Sequence, residues 1–465
     1  MLGEQEALMT DKQQTVLASK VIHNNILYEQ VYDPKKNFSH YIGWDNDRNE
    51  TIPINDILNG NRKYIPIQDD LLQKQAVILP TEPLEYGTEQ DLELEIECFI
   101  KTWLDISEEH LQKATWYVML TRLIDKINTI PYLRAIGDYG TGKTRYLDVI
   151  GGISYKPMFV GGSVRAAPIY RVIDLWRGTA IFDEFTLKKS DETEDIIQIL
   201  NNGYQRGKPV LRCKDGNYDK VIAFDPFGSK ILASRSRFYD KALESRCITE
   251  IMKTTARNDL PIDLTPAFYD KRQELQNKLL MYRFKNWDKV NLDETINIDY
   301  GNILPRIKQS LAPFTVLFQY DNERLTEFIE YTQEYNRKII EENSMSYDGQ
   351  IINAYLQILE NHEKEQQTFD DYKESVFTST DIKNYLVEYE NWDEEKTTAS
   401  KIGRRIQNLG FEVTPKKVAG KTKRVITIDD ETFEKLKRKY VVTAVTEVTA
   451  DTDEVKNKKI GDYSE

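Results

Sequence analysis

The sequence predicts an α/β protein: a parallel sheet with a helical lid, a small β-rich N-terminal domain and a C-terminal winged-helix domain. Three observations lead to this prediction. Short apolar runs alternate with helical patterns between residues 132 and 251, a glycine-rich loop follows the first run, and a basic unit lies near the C-terminus. Alternating strands and helices are typical of a parallel sheet covered by helices.

Length and charge narrow the possible functions. A chain of 465 residues is long enough for about three domains. Its formal net charge of -13 gives no general attraction for nucleic acid or anionic membranes, so such contacts require a local basic patch. Three cysteines and four histidines are scattered, which predicts neither disulfides nor a zinc site. We expect a cytoplasmic protein without membrane contact, because no long apolar run or signal pattern is present.

Composition and turn residues divide the chain into six segments. Apolar runs broken by turn signals precede a linker near residue 80, and helical patterns dominate after residue 262. The predicted segments are a β-rich N-terminal domain at 1–86, a nucleotide-binding domain at 87–262, a helical lid at 263–345, a linker helix at 346–372, a winged-helix domain at 373–441 and a disordered tail at 442–465.

The nucleotide-binding domain is predicted from five strands and one hairpin. Before the fourth strand, two apolar-rich runs flank Lys214-Asp215-Gly216-Asn217, whose Asp-Gly pair is a hairpin signal. The predicted strands are Tyr132–Ile136, Pro157–Val160, Thr179–Phe182, Lys230–Ala233 and Cys247–Ile251.

The glycine-rich loop after the first strand has the form G-x-x-x-x-G-K-T and leads into a helix. The glycines let successive N–H groups converge on a phosphate, Lys143 adds a positive charge, and Thr144 offers a hydroxyl to Mg²⁺. The motif therefore predicts a site for a nucleotide with Mg²⁺. Its residues are Gly137, Asp138, Tyr139, Gly140, Thr141, Gly142, Lys143 and Thr144.

An acidic pair follows the third strand. The apolar run 180–182 would deliver Asp183 to the sheet edge beside the phosphates, where it can hold the Mg²⁺ shell. Glu184 can then orient and deprotonate the attacking water. An ordinary solvated turn is the alternative.

Arg246 stands just before the fifth strand. Arginine at such a position is usually a surface residue or would pair with Glu244. The alternative is an arginine that reaches the γ-phosphate held by a neighbouring subunit, as ring-forming ATPases provide.

These motifs together resemble an AAA+ ATPase, and the chain is most similar to the MCM-like helicases of mobile genetic elements. Gly161-Gly162-Ser163 before a helix, and the hairpin before the fourth strand, carry the second resemblance. It covers about residues 133–314.

The resemblance implies ATP hydrolysis with Mg²⁺ in a homo-oligomer, expected to be a hexamer. Lys143 and Thr144 would hold phosphate and metal, Asp183 and Glu184 would form the acidic pair, and Arg246 would act on the neighbouring site. The resemblance also implies that Arg306 is the sensor 2 residue and that the Ser234-Arg235 segment occupies the sensor 1 position. No zinc module is present in the expected N-terminal domain.

Lys214 at the hairpin tip has two interpretations. In a hexameric ring it would face the phosphate backbone of single-stranded DNA in the channel, a contact that does not read sequence. Otherwise the segment is an ordinary surface hairpin with a lysine at its turn.

The C-terminal unit reads as helix, helix and basic hairpin. Residues 400–440 include twelve basic and five acidic side chains, which gives this segment a formal charge of +7. This charge asymmetry predicts a contact with nucleic acid, and duplex DNA is one possible partner. The alternative is a winged helix that is used only for protein contacts. The candidate contact residues are Lys401, Arg404, Arg405, Lys416, Lys417, Lys421, Lys423 and Arg424.

The leading hypothesis is a hexameric, ATP-driven DNA translocase, a replicative helicase of a mobile element or virus. The alternative is an AAA+ initiator or regulator that uses ATP as an assembly switch on DNA without unwinding it. A remodeller of protein partners is the third possibility.

Overall fold

The computed structural model describes residues 13–161, 165–183, 191–214, 217–296, 298–368, 377–418 and 420–442. Gly162 and Ser163 of the predicted motif, and the predicted tail beyond Val442, lie outside them. The described chain divides into two compact units. The first holds the residues up to 299 together with 305–328, and the second holds 300–304 and the residues from 329 onward.

The first unit begins with seven short strands. Four of them, β2 to β5, form an antiparallel sheet, while β1, β7 and β6 form a second sheet in which β1 runs parallel to β7. Asn24 and Asn25 link β2 to β3 with φ of 50° and 60°, which suits a tight two-residue hairpin. The strands are β1 Gln14–Leu17, β2 Lys20–His23, β3 Ile26–Asp33, β4 Phe38–Asp45, β5 Glu50–Ile54, β6 Ile57–Asn59 and β7 Arg62–Ile65.

Three helices lead from these strands to the central sheet. The capping box of Thr88 with Asp91 starts the second helix, and the Ser107 side chain caps the third. The helices are α1 Asp70–Gln73, α2 Glu89–Trp103 and α3 Glu108–Thr121, followed by a 3₁₀ turn at Ile124–Lys126.

The central sheet has five strands in the order β14-β8-β13-β10-β9, and every neighbouring pair is parallel. The parallel sheet predicted from the sequence is confirmed, with β13 one residue longer than expected. The elements of this region are β8 Tyr132–Ile136, α4 Lys143–Tyr146, β9 Pro157–Val160, α5 Ala166–Trp176, β10 Thr179–Phe182, α6 Asp191–Gly203, β11 Val210–Lys214, β12 Asn217–Phe224, β13 Lys230–Ser234, α7 Lys241–Glu244 and β14 Cys247–Ile251. A π-helical turn at Leu147–Gly151 continues α4.

Further helices complete the first unit and begin the second. Pro266 and Pro305 each occupy the first turn of a helix, where the missing N–H has no cost. The helices are α8 Pro266–Asn286, α9 Leu292–Ile296, α10 Pro305–Leu311 and α11 Asn322–Ser344, with a 3₁₀ segment at Ala312–Leu317.

The N-terminal strands pack on α8. Val31 and Trp44 lie in one apolar cluster with Leu280 and Phe284 of that helix. The β-rich segment is therefore part of the same compact unit as the central sheet.

The second unit has its own apolar core. Ile351 and Tyr355 of α12 lie in this core, so the segment expected as a linker helix is instead part of it. The elements are α12 Tyr347–Thr368, α13 Ser379–Tyr389, α14 Ala399–Asn408, β15 Glu412–Val418, β16 Lys421–Thr427 and α15 Asp430–Tyr440. Among the described residues of both units, none of the helices has the length and apolar character needed to cross a membrane.

Candidate functional site

The glycine-rich loop joins the end of β8 to α4. A Cβ on Gly137 would come within 2.5 Å of the Thr141 hydroxyl and 2.9 Å of the Met252 carbonyl, so only glycine fits. Gly140 and Gly142 have φ of 74° and 87°, a conformation that glycine adopts without strain. The sequence therefore places glycines where the backbone must turn tightly around a ligand.

Lys143 is buried at the start of α4, and its Nζ donates to the Asp138 carbonyl at 2.6 Å. The ammonium group thus lies within the curve of the loop. A phosphate oxygen held by the loop would offer Nζ a charged acceptor in exchange for this carbonyl.

Thr144 and Asp183 meet across the sheet edge. The Thr144 hydroxyl donates to Asp183 Oδ2 at 3.0 Å, although the two residues are 39 positions apart in sequence. A hydroxyl and a carboxylate oxygen side by side are ligands that Mg²⁺ commonly binds. Within the described ranges, no cluster of three His, Cys, Asp or Glu side chains could hold a metal ion alone, so Mg²⁺ here would also need phosphate oxygens and water. Glu184 lies outside the described residues.

The end of β13 lies beside the start of the loop. Gly137 N–H donates to the Ser234 carbonyl at 3.2 Å, and the buried Ser234 hydroxyl donates to the Ser236 carbonyl at 3.0 Å. The next residue, Arg235, is exposed, and its guanidinium carbon lies 3.8 Å from the ring centroid of Tyr139. Sequence reasoning named this segment for sensor 1 but did not find the contact with Tyr139.

Arg246 lies at the N-terminal end of the parallel strands, opposite to the end that carries the glycine-rich loop. Its carbonyl accepts from the N–H of Tyr132, the first residue of β8, whereas the glycine-rich loop follows the last. The five-residue strand puts roughly 15 Å of backbone between the two edges. The Arg246 guanidinium donates to Asn201 of α6.

Glu244 does not pair with Arg246. Its two oxygens accept from the buried Arg134 at 2.5 and 2.6 Å, and Arg237 adds a contact at 3.1 Å. The pairing offered as the ordinary explanation of Arg246 is therefore wrong.

Arg306 joins Arg246 at this edge. Its Nε donates to the Ser245 hydroxyl at 3.0 Å, and both guanidinium carbons lie 5.3–5.4 Å from the Tyr204 ring centroid. Burial, with the positive charge of Arg246, lowers the pKa of Arg306 from its ordinary value. We call Arg246, Arg306 and Tyr204 the arginine cluster. Sequence reasoning predicted both arginines but not their shared aromatic platform.

The hairpin of β11 and β12 precedes β13, as expected. Phe224 packs on Tyr170 of α5, with ring centroids 4.4 Å apart, whereas Leu211 and Val221 are 58% and 59% exposed. Lys214 ends β11; residues 215 and 216 and the Lys214 side chain lie outside the description. The exposed apolar side chains were missed, because an alternating run does not reveal which face is covered.

The hairpin of β15 and β16 carries exposed positive charge. Lys416 stands directly opposite Lys423, and Arg424 opposite Pro415. Like charges facing each other across a hairpin destabilise it. Lys417 and Lys421 are also exposed, so four predicted lysines and Arg424 lie together near the hairpin tip.

The basic residues of α14 separate into two groups. Lys401 donates to the Lys396 carbonyl at 3.1 Å, and Arg404 is 3.5 Å from the Ser400 hydroxyl. Arg405 instead forms a two-pronged ion pair with Asp348 of α12, one arm of which measures 2.7 Å. Arg405 therefore ties two helices of the second unit together.

The parallel sheet, the loop at the end of β8 and the acidic residue at the end of β10 define a P-loop NTPase fold. No protein-family model matches the chain, and no curated protein matches it.

The chain resembles several solved structures at low sequence identity and low TM-score. The C-terminal region of NrS-1 has 13% sequence identity and a TM-score of 0.36, with 86% of this chain and 97% of that chain covered. An MCM homologue from Methanopyrus kandleri has 11% identity and a TM-score of 0.31, covering 64% and 73%. JCV helicase has 15% identity and a TM-score of 0.25, covering 53% and 61%.

Proposed function

We propose that the protein is an ATP-hydrolysing, ring-forming DNA translocase of the MCM-like kind, acting in replication of a mobile element or virus. The observation that carries the proposal is the contact between Thr144 and Asp183. It joins the loop after β8 to the end of β10, which creates a phosphate and Mg²⁺ site at one sheet edge.

In this proposal each residue of the edge has a distinct task. Loop N–H groups and Lys143 bind the phosphates, while Thr144 and Asp183 hold the metal shell. Bound Mg²⁺ would neutralise charge that develops on the β- and γ-phosphates. Glu184 orients the attacking water and accepts its proton.

The arginine cluster supports a shared site between copies of the chain. Its position at the opposite sheet edge separates Arg246 and Arg306 from the phosphate loop of their own copy by the length of β8. Arginine supplied by a neighbouring copy can accelerate phosphoryl transfer by about 10³ to 10⁵. A closed ring, expected to be a hexamer, would satisfy every site in the same way.

DNA contact is assigned to two basic hairpins. Lys214 of the β11–β12 hairpin would follow single-stranded DNA in the ring channel. The second unit, interpreted as a winged helix, would bind DNA through the β15–β16 hairpin and Arg404.

Strand displacement on forked DNA tests the proposal. The protein should unwind either a 3′-tailed or a 5′-tailed fork only with ATP and Mg²⁺, and Lys143→Ala should abolish both ATP hydrolysis and unwinding. Lys214→Ala should reduce unwinding much more than Lys208→Ala, which changes a lysine just before the hairpin. Equal unwinding by both lysine variants would contradict the channel role of Lys214.

A second candidate is a DNA-binding initiator or regulator in which ATP only drives assembly. Lys416 and Lys423 lie opposite each other on the exposed hairpin. Their positive charge favours this candidate, since it would bind DNA without requiring ATP-driven translocation. ATP-dependent binding to duplex DNA, with neither fork unwound, would select this candidate.

A further inference from the structure

Lys230, the first residue of β13, has a fully buried side chain that backbone carbonyls surround. Its Nζ donates to the carbonyls of Pro226 at 2.8 Å and Gly228 at 2.9 Å, and it lies 3.4 Å from the Gly203 carbonyl. Among the described residues, no carboxylate forms an ion pair with it. An ammonium group has three N–H donors, so one donor is present for each carbonyl.

The three carbonyls belong to two separate segments. Pro226 and Gly228 lie in residues 225–229, which lead from the β11–β12 hairpin into β13 and which we call the exit turn. Gly203 is the last residue of α6, and its carbonyl also accepts from the Gly228 N–H at 3.3 Å. Lys230 therefore joins the exit turn of the hairpin to the end of α6 through one side chain.

The end of α6 carries the aromatic platform of the arginine cluster. Tyr204, whose ring lies near both Arg246 and Arg306, follows Gly203 directly in the chain. Asn201, two residues before Gly203, accepts from the Arg246 guanidinium. A shift of Gly203 would therefore displace contacts that hold both arginines.

The junction around Lys230 is closely packed. A Cβ on Gly203 would come within 2.5 Å of both Lys230 Nζ and the Pro226 carbonyl, so a side chain there would separate the exit turn from α6. Burial lowers the pKa of Lys230 to about 7, which shows that the position is unfavourable for a charge. An apolar side chain in its place would leave buried carbonyls without their donors.

We propose that Lys230 is a positioning residue that couples the β11–β12 hairpin to the arginine cluster, so that DNA bound at the hairpin changes the placement of Arg246. The role rests on the DNA-dependent ATP hydrolysis proposed above and adds the connection between the two sites within one copy. When DNA displaces the exit turn, the shared ammonium group carries Gly203 with it. Without that group the exit turn and α6 shift independently.

The test compares ATP hydrolysis with and without single-stranded DNA in the full-chain variant Lys230→Met. Methionine is a flexible side chain that fills the buried space but donates no hydrogen bond. The increase in kcat caused by DNA should fall to less than about 2-fold, while kcat without DNA, KM for ATP and Kd for DNA should remain within about 2-fold of wild type. Lys230→Gln retains two N–H donors and should restore part of the increase.

Glu29→Gln is the matched control for disturbing a buried charge. Glu29 pairs with Lys156 and Arg283, away from both the exit turn and α6. This variant should lose stability but retain the wild-type increase in kcat with DNA, when both variants are assayed below their unfolding temperatures. Equal loss of the increase in Glu29→Gln would show that reduced stability alone removes it, and would overturn the coupling role.

Three further results would overturn the role of Lys230. One is a wild-type increase in Lys230→Met or, if that variant does not fold, in Lys230→Gln. Another is a matching loss of DNA binding or of hydrolysis without DNA, which would show that Lys230 only stabilises the fold. The third is wild-type hydrolysis that DNA does not raise, which removes this inference and leaves the ATP site intact. Wild-type protein that hydrolyses no ATP would remove the proposed function as well.

Discussion

Charged residues serve opposite purposes in the two units. In the first unit Glu29 is 1% exposed and accepts from both Lys156 and Arg283 at 2.8 Å. In the second unit Lys416 faces Lys423 on an exposed hairpin. A buried, paired charge holds structure together, whereas like charges directly opposite each other on a surface hairpin repel each other. The comparison therefore separates charged residues that stabilise the fold from charged residues that are candidates for binding DNA.

Removing the Glu29 carboxylate should have the largest effect on stability. Burial alone would raise the pKa of Glu29, but Lys156 and Arg283 hold it below its ordinary value. Glu29→Gln leaves buried Lys156 without an anion and Arg283 with Asp125 alone, so we expect a loss of about 3–5 kcal/mol in the free energy of unfolding. Urea unfolding followed by tryptophan fluorescence measures it.

The exposed pair Lys74–Asp70 provides the control for Glu29. Both side chains are about three-quarters exposed, so Lys74→Ala should change the free energy of unfolding by less than about 1 kcal/mol. Similar losses from the two substitutions would remove the distinction between buried and exposed charge.

Lys416→Glu should affect stability and DNA binding in opposite directions. It replaces a repulsive pair with an attractive one, which should stabilise the hairpin by about 0.2–1 kcal/mol. DNA affinity should fall by about 10-fold or more, and its salt dependence should become shallower, because fewer counterions are released. Fluorescence anisotropy at several salt concentrations measures both.

Lys435→Ala is the matched control for Lys416. Lys435 already pairs with Glu431 at 2.5 Å on α15, so its removal should change DNA affinity little. Equal losses from the two lysines would show that total charge, rather than the hairpin, controls binding.

His110 should make the first unit sensitive to acid. Burial lowers its pKa from 6.5 to about 3, and its Nε2 lies 2.7 Å from the Tyr146 hydroxyl. As pH falls below about 6.5, the unfolded chain binds a proton that the folded chain does not bind until about pH 3. Stability is therefore lost across this window, by about 1 kcal/mol at pH 5.5.

The pH dependence should be specific to His110. His110→Gln should reduce the difference in unfolding midpoint between pH 7.5 and 5.5, and His23→Gln, at a less buried histidine of β2, should retain it. An unchanged difference in His110→Gln would assign the acid sensitivity to other groups.

Neighbouring arginines of α14 give the smallest and most selective comparison. Arg405→Ala breaks the ion pair with Asp348 and should lower stability by about 1 kcal/mol. Arg404→Ala should leave stability unchanged and weaken DNA binding a few-fold. The reverse pattern, read from thermal unfolding and anisotropy of the same two variants, would mean that Arg405 is the DNA contact.

Local patterns predicted the central sheet, because each of its five strands is a short apolar run bounded by turn signals. The glycine-rich loop and Asp183 were likewise predictable, since parallel strands bring their C-terminal ends to one edge. The contact of Thr144 with Asp183 agrees with that expectation.

Contacts between distant segments were not predictable from one sequence. Nothing near Arg405 indicates that Asp348, 57 residues away, would pair with it. Glu29 meets Lys156 and Arg283 only because the N-terminal strands pack on the rest of the first unit.

Mixing two inactive variants tests most directly whether the nucleotide site is shared between copies. Lys143→Ala removes the phosphate contact, and Arg246→Ala removes the arginine supplied to the neighbour, so each alone should hydrolyse ATP at a small fraction of the wild-type rate when assembled on DNA. Co-assembled, some interfaces combine an intact Lys143 with an intact Arg246, and ATP hydrolysis should reappear. Wild-type hydrolysis by Arg246→Ala alone, or no recovery in mixed assemblies, would contradict the account.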